Sequence, residues 1–230
     1  MSGAGQRRLL LGFTLVAAVF FAALGVWQVE RLQWKRALIV RVAARVGAAP
    51  IAPPTGRLVT REGDEYAHVQ VTGEFAHDRE TLVQAVTELG PGYWVMTPLR
   101  TAAGVILINR GFVPPERAAP LTRRAGQSPG QIRVAGLLRL SEPGGGFLRH
   151  NNSAANRWYS RDVAAIAAAR GLGGVAPYFI DADGTPNPGG WPRGGLTVVQ
   201  FRNAHLSYAL TWFALAAGAA FAARLVARSA

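Results

Sequence analysis

The sequence predicts a membrane protein in which two transmembrane helices flank an α+β domain that is mostly antiparallel β. Two apolar runs without a charge, Leu9–Trp27 and Leu206–Ala223, indicate the helices. Between them, short alternating segments accompany a single helical segment, without the βαβ alternation that predicts a parallel sheet. Half of the residues are apolar and only 17% are charged, against about 25% in soluble domains.

Each apolar run approaches the ~20 residues that a helix needs to cross a hydrocarbon core of ~30 Å. Trp27 and Trp34 follow the first run, in the position of an interfacial aromatic belt. A cleaved signal peptide is the alternative for the first run, although such signals have shorter apolar segments of ~7–15 residues. The predicted boundaries are an N-terminal tail at 1–8, a first span at 9–27, the domain at 28–205, a second span at 206–223 and a C-terminal tail at 224–230.

Charge counting leaves the orientation of these spans open. Arg7 and Arg8 before the first span favour an inner N-terminus. Long domains translocate largely regardless of charge, so the basic residues that follow this span oppose that orientation only weakly. Those residues are Arg31, Lys35, Arg36, Arg41 and Arg45.

The segment between the spans is predicted to form a small antiparallel sheet or barrel with one helix against it. The helix is expected at Ser160–Arg170, with Ser160 as its N-cap. Gly47–Pro54 is expected to be a linker, and Asp183–Gly195 a loop rich in Gly and Pro. The predicted strands are 66–75, 81–86, 93–99, 105–109, 132–140 and 176–181.

Composition and motifs exclude several function classes. The net charge of +12 comes from dispersed arginines, with Lys35 as the only lysine, so no stripe predicts nucleic-acid binding. The absence of cysteine excludes disulfides, cysteine-based metal sites and thiol catalysis. No nucleotide-binding, serine-hydrolase or zinc-protease motif is present, so the protein is not expected to be an enzyme. His77, Asp78 and Glu80 are interpreted as a solvated polar turn rather than a metal site.

His205 is the candidate site residue, because it stands where the second span begins. Tyr208, Ala209 and Trp212 follow at helical spacing and are predicted to share a face with it. A neutral imidazole is a good axial ligand for haem iron, and aromatic and small neighbours suit a flat macrocycle. The alternative is an ordinary interfacial histidine beside interfacial aromatic residues.

Five segments, in order, give the chain a recognisable family. They begin at Gly25, Pro91, Gly104, Asn156 and Gly194, and read GVWQVERLQWKRALI, PGYWVMTPL, GVILINRGFVP, NRWYSRDV and GGLTVVQFRNAHLSYALTWFALA. With two terminal spans, this order and spacing resembles the Surfeit locus protein 1 family over most of the chain.

The resemblance implies an assembly factor for cytochrome c oxidase that handles haem a and assists its insertion into oxidase subunit I. Its implied partners are that subunit, the enzymes of haem a synthesis and the lipid bilayer, with no nucleic acid. It also places both termini in the cytoplasm and the central domain outside. The arginine-rich composition favours a bacterial source, hence a plasma membrane with the domain in the periplasm.

The family's haem-linked histidine corresponds to His205, the expected axial ligand of the iron. Arg202, one helical turn earlier, is expected to pair with a haem propionate. Tyr208, Trp212 and Trp27 are expected to line the pocket without ligating. Two other classes remain at this point: an adaptor that holds oxidase subunits without binding haem, and a membrane-anchored enzyme acting outside the cytoplasm.

Overall fold

The computed structural model describes residues 3–146, 148–199 and 203–228. Its internal contacts divide the chain into a helical unit, Met1–Arg41 with Gln200–Ala230, and a sheet unit, Val42–Val199. The three α-helices are α1 at Gly3–Val46, α2 at Val163–Ala169 and α3 at His205–Arg228.

Both α1 and α3 are long and apolar enough to cross a membrane, as the two apolar runs predict. The first helix, however, does not end at Trp27. It continues to Val46 because no glycine or proline interrupts residues 26–46, and its 44 residues span about 66 Å at ~1.5 Å per residue. Since a hydrocarbon core is ~30 Å thick, about half of α1 is enough to cross it.

The two long helices pack antiparallel within the helical unit. The guanidinium of Arg7 donates to the main-chain carbonyls of Val226, at 2.9 Å, and Ala227, at 2.6 Å, near the C-terminal end of α3. Farther along, the rings of Phe21 and Trp212 stack with centroids 5.7 Å apart. Every third or fourth residue of α3 is at least partly buried, as in coiled coils. This contact stripe consists of His205, Ala209, Trp212, Ala216, Ala219, Ala222, Ala223 and Val226.

The sheet unit contains a six-stranded sheet and a two-stranded hairpin. In the large sheet the strand order is β1-β5-β8-β4-β3-β2, and a further pairing of β1 with β3 closes it into a barrel-like ring. All pairings are antiparallel except that of β4 with β8. The strands are β1 His68–Phe75, β2 Thr81–Thr87, β3 Gly90–Thr101, β4 Gly104–Val113, β5 Gln131–Leu140, β6 Gly145–Gly146, β7 Arg149–His150 and β8 Val175–Ala182.

Both faces of the sheet are covered, because successive large apolar side chains of β4 and β8 point to opposite faces. On one face, Ile108 and Ile180 belong to a core that fills the ring. On the opposite face, Leu107 and Phe179 pack in a second core with Trp158 and α2. This arrangement confirms the α+β class, and the mostly antiparallel sheet, predicted from sequence.

Two local predictions need correction. The second helix begins at Val163 rather than Ser160, and Asp162 is its N-cap, accepting a hydrogen bond from the Ala165 amide at 3.1 Å. The Ser160 hydroxyl instead accepts a hydrogen bond from the Asn151 amide. The expected linker at residues 47–54 already joins the sheet, since Ile51 exchanges two main-chain hydrogen bonds with strand β1.

Candidate functional site

His205 begins α3, at the end of the helix that pairs with the middle of α1. Its Nδ1 atom lies 2.8 Å from the carboxamide oxygen Oε1 of Gln28. Gln28 is only 8% exposed, so its polar group is removed from solvent and depends on this hydrogen bond. No described residue contacts the second ring nitrogen of His205, Nε2, by a hydrogen bond. Among the described residues, the imidazole is therefore held through Nδ1 alone.

Only part of the predicted face around His205 is brought together. Ala209 and Trp212 lie with His205 on the contact stripe that faces α1, and the Trp212 ring stacks on Phe21. Tyr208, in contrast, is 56% exposed and lies off that stripe.

Trp27, another predicted lining residue, does not belong to this group. Trp27 is 51% exposed, because α1 presents Gly25 and Gln28 towards α3 instead. Arg202 lies outside the described residues, so its expected contact with a propionate stays a prediction.

Gln28 is the residue that the sequence reasoning missed. A signal for it was present, because Gln28 follows Gly25 by three residues and so lies on the same side of the helix. A polar residue on a buried helical stripe needs a polar partner, and His205 is the complementary group on the facing helix.

A second polar centre lies in the sheet unit, around the buried carboxylate of Glu80. Arg123 Nη1 lies 2.9 Å from Oε2, Arg110 Nη1 lies 3.3 Å from Oε1, and His77 Nδ1 lies 3.6 Å from Oε1. The side chains of Glu80, Arg110 and Arg123 are each no more than 5% exposed. The interpretation of residues 77–80 as a solvated turn was therefore wrong for Glu80, since two arginines that are distant in the sequence enclose its carboxylate.

Burial and charge compete in this Glu80 centre. Burial raises the pKa of Glu80, but the hydrogen bond from His77 and the charge of Arg123 lower it by more, so the carboxylate is ionised. Burial lowers the pKa of Arg110 to about 10, with the Glu80 charge only partly offsetting it. Two guanidiniums around one carboxylate make this centre a fixed structural ion network.

A third polar centre surrounds the carboxylate of Asp181, on strand β8. Its carboxylate accepts hydrogen bonds from Asn109 at 2.7 Å, Thr197 at 2.9 Å, and Arg139 and Arg161 at 3.1 Å each. All acceptor positions of this buried carboxylate are thus in use, which leaves none for a ligand.

These centres differ in what they can do chemically. In the parts of the chain that the structure describes, no three His, Asp or Glu side chains gather as a metal site. The two ion networks are internally paired. His205, held through Nδ1 alone among the described residues, is of the residue type that could give a single axial bond to a metal such as haem iron.

Comparison with known proteins agrees with the family suggested by the sequence. The SURF1 family matches residues 15–217. Surfeit locus protein 1 of Mus musculus is 38% identical over 90% of this chain and 72% of its own length. The Homo sapiens protein of that name is 36% identical, over 90% and 74%. A SURF1-like protein of Monosiga brevicollis is 40% identical, over 84% and 78%. With this extent of similarity, from the first long helix into the last, the chain belongs to the SURF1 family.

Proposed function

We propose that this protein is an assembly factor for haem–copper cytochrome c oxidase that binds haem a through His205 and assists its insertion into subunit I. Membership in the SURF1 family is the observation that carries the proposal. The donor chemistry supports it, because His205 lies beside a largely apolar helix pair and its Nε2 has no hydrogen-bond partner among the described residues.

In this proposal the chain works as a carrier and not as a catalyst. Moving a cofactor between proteins forms and breaks no covalent bond of the macrocycle, so no nucleophile or general base is assigned. When bound, haem a would supply the redox centre that the oxidase needs. His205 would hold its iron, Arg202 would pair with a propionate, and Tyr208, Trp212 and Trp27 would lie against the ring.

We place this activity in the membrane that houses the oxidase, with both long helices in the bilayer and the sheet unit on its outer side. The two apolar helices support the membrane location. The relatives described above are eukaryotic, so the bacterial plasma membrane and periplasm expected from composition stay predictions. Subunit I and the haem a synthesis enzymes are the proposed partners.

The test is purification of the full chain from cells that co-express the haem a synthesis enzymes. We expect a Soret band to follow the protein and to be lost or shifted in His205→Met, with membrane insertion retained because methionine is apolar. His150→Ala, at an exposed position of strand β7, is the matched control and should keep the band. An unchanged spectrum in the His205 variant would contradict ligation by this residue.

One observation favours a second function, that of an adaptor that holds oxidase subunits without binding haem. His205 and Trp212 face α1, where they already have partners in Gln28 and Phe21. These helix–helix contacts explain why His205 and Trp212 lie on the contact stripe, without any role in binding haem. Colourless protein that still captures subunit I from the same cells would support the adaptor and contradict the haem carrier.

A further inference from the structure

Gln28 and His205 form the one hydrogen-bonded pair of polar side chains described between α1 and α3. The two residues are separated by 177 positions in the chain, and their side chains meet at 2.8 Å. Gln28 is 8% exposed, whereas Gln33, little more than one turn further along α1, is exposed. A buried carboxamide directed at one ring nitrogen constrains how the imidazole is protonated.

From this geometry we infer that Gln28 is a positioning residue, which fixes neutral His205 with its proton on Nδ1 and leaves the lone pair on Nε2. A carboxamide oxygen only accepts hydrogen bonds, so the nitrogen that faces it must carry the hydrogen. In a neutral imidazole the other nitrogen is then unprotonated, and this is the atom able to bind a metal.

The assignment of Nε2 as the iron-binding atom rests on the proposed function, whereas the tautomer does not. Metal-binding histidines commonly donate their other N–H to a carboxylate or carbonyl, which orients the ring and raises its basicity as a ligand. Here the carboxamide oxygen of Gln28 is the group that accepts the other N–H of the histidine. A neutral amide suits a site in a membrane helix, because a buried carboxylate would carry the cost of a charge in an apolar surrounding.

The opposite orientation of the carboxamide gives a different result. If the amide nitrogen of Gln28 faced His205, it would donate to Nδ1, and the ring proton would then lie on Nε2. An imidazole in that state has no lone pair for iron on its open side. The two orientations therefore predict opposite tautomers, which can be measured without any ligand.

The first experiment uses the full chain in detergent, free of haem, with ¹⁵N-labelled histidine, at a pH well above the ordinary imidazole pKa of about 6.5. A His205→Ala variant identifies the His205 signals by their loss. We expect wild-type His205 to show a protonated Nδ1 and an unprotonated Nε2. Gln28→Leu removes the acceptor and should shift this distribution towards protonated Nε2. Gln33→Leu is the matched control and should change nothing.

The second experiment adds iron protoporphyrin IX to the wild type, Gln28→Leu and Gln33→Leu. We expect Gln28→Leu to bind it about 10- to 100-fold more weakly, as when the partner of a metal-binding histidine is lost, with Gln33→Leu near wild type. Protonated Nε2 in the wild type, or an unchanged tautomer in Gln28→Leu, would overturn the inference. A Gln28-dependent Nδ1–H tautomer in a wild-type protein that gains no Soret band when the haem a synthesis enzymes are co-expressed would support the inference and contradict the proposed function instead.

Discussion

The ring of Phe213 lies so close to Gly25 that a β-carbon on the glycine would approach it to 2.5 Å. With the Phe213 ring in this position, only a hydrogen side chain fits on residue 25. In a membrane, where apolar burial from water does not drive helix association, such close packing is a main source of stability. The small residues of α3 differ in their burial: Ala209 is 2% exposed, whereas Ala220 is exposed.

We therefore predict that Gly25→Leu destabilises the paired helices, by about 1–3 kcal/mol, as overpacking commonly does. The fluorescence of the chain during thermal unfolding in detergent measures this, with Trp212 stacked in the contact as one of its reporters. Gly12→Leu is the control, because nothing lies within 4 Å of that position. Adding Phe213→Ala to the Gly25 variant should restore part of the loss, and equal effects of the two glycine variants would refute the packing argument.

Glu80→Gln is predicted to destabilise the protein by about 3–5 kcal/mol, the usual effect of breaking a buried ion pair by removing one partner. The change leaves the buried guanidiniums of Arg110 and Arg123 without a carboxylate. Chemical denaturation of the full chain in detergent measures it. Glu116→Gln, at an exposed position, should have little effect. If Glu80→Gln destabilised the protein as little as the control does, the ion network would contribute no more to stability than an exposed ion pair.

The same carboxylate gives a predicted dependence of stability on pH. The pKa of folded Glu80 lies below its ordinary value of 4.5, so its stabilising contribution is complete above the unfolded pKa and is lost as the pH falls through the folded one. The wild type should therefore lose free energy of unfolding below about pH 4.5. Part of this slope should be absent in Glu80→Gln. The pKa of Glu142 is lowered as well, by Arg161, so Glu142 contributes a part of the pH slope that remains in Glu80→Gln.

Asp162→Ala should destabilise the protein by about 0.5–2 kcal/mol, because the Ala165 amide at the start of α2 loses its hydrogen-bond acceptor. Asp162→Asn keeps a side-chain oxygen and should lie close to the wild type. Denaturation midpoints of the two variants provide the comparison. A loss of the same size in both would assign the effect to charge and not to capping.

The proposed orientation is tested at Pro188, an exposed residue that opens a short 3₁₀ turn at Pro188–Gly190. An enzyme reporter that is active only in the cytoplasm, inserted there, should be silent if the sheet unit lies outside. The same reporter fused after residue 230 should be active. An active reporter at Pro188 would reverse the assigned sides.

The sequence predicted the features that local interactions determine and missed those that depend on contacts between residues distant in the chain. Strand β1 and the two long helices follow from local alternation and from length, and their existence was predicted correctly. Strand β4 was expected to end at Asn109. It continues to Val113 because Phe112 pairs with Trp94 of strand β3 and exchanges two main-chain hydrogen bonds with Arg193, 81 positions later in the chain. Likewise, His205 was identifiable as a candidate by its place at the end of a span, whereas its partner Gln28, 177 positions away, required the fold.

The hydrogen bonds of Arg7 to the end of α3 join groups about 220 positions apart. At a synthesis rate of about 5–20 residues per second, Val226 is made roughly 10–45 s after Arg7. During that interval α1 has no partner helix, while the strands of the sheet unit are already being made and can pair. Docking of the two long helices therefore cannot begin until α3 has been made, whereas the sheet unit can start to fold earlier. The pairing of α1 with α3 is thus a late event in the folding of this chain.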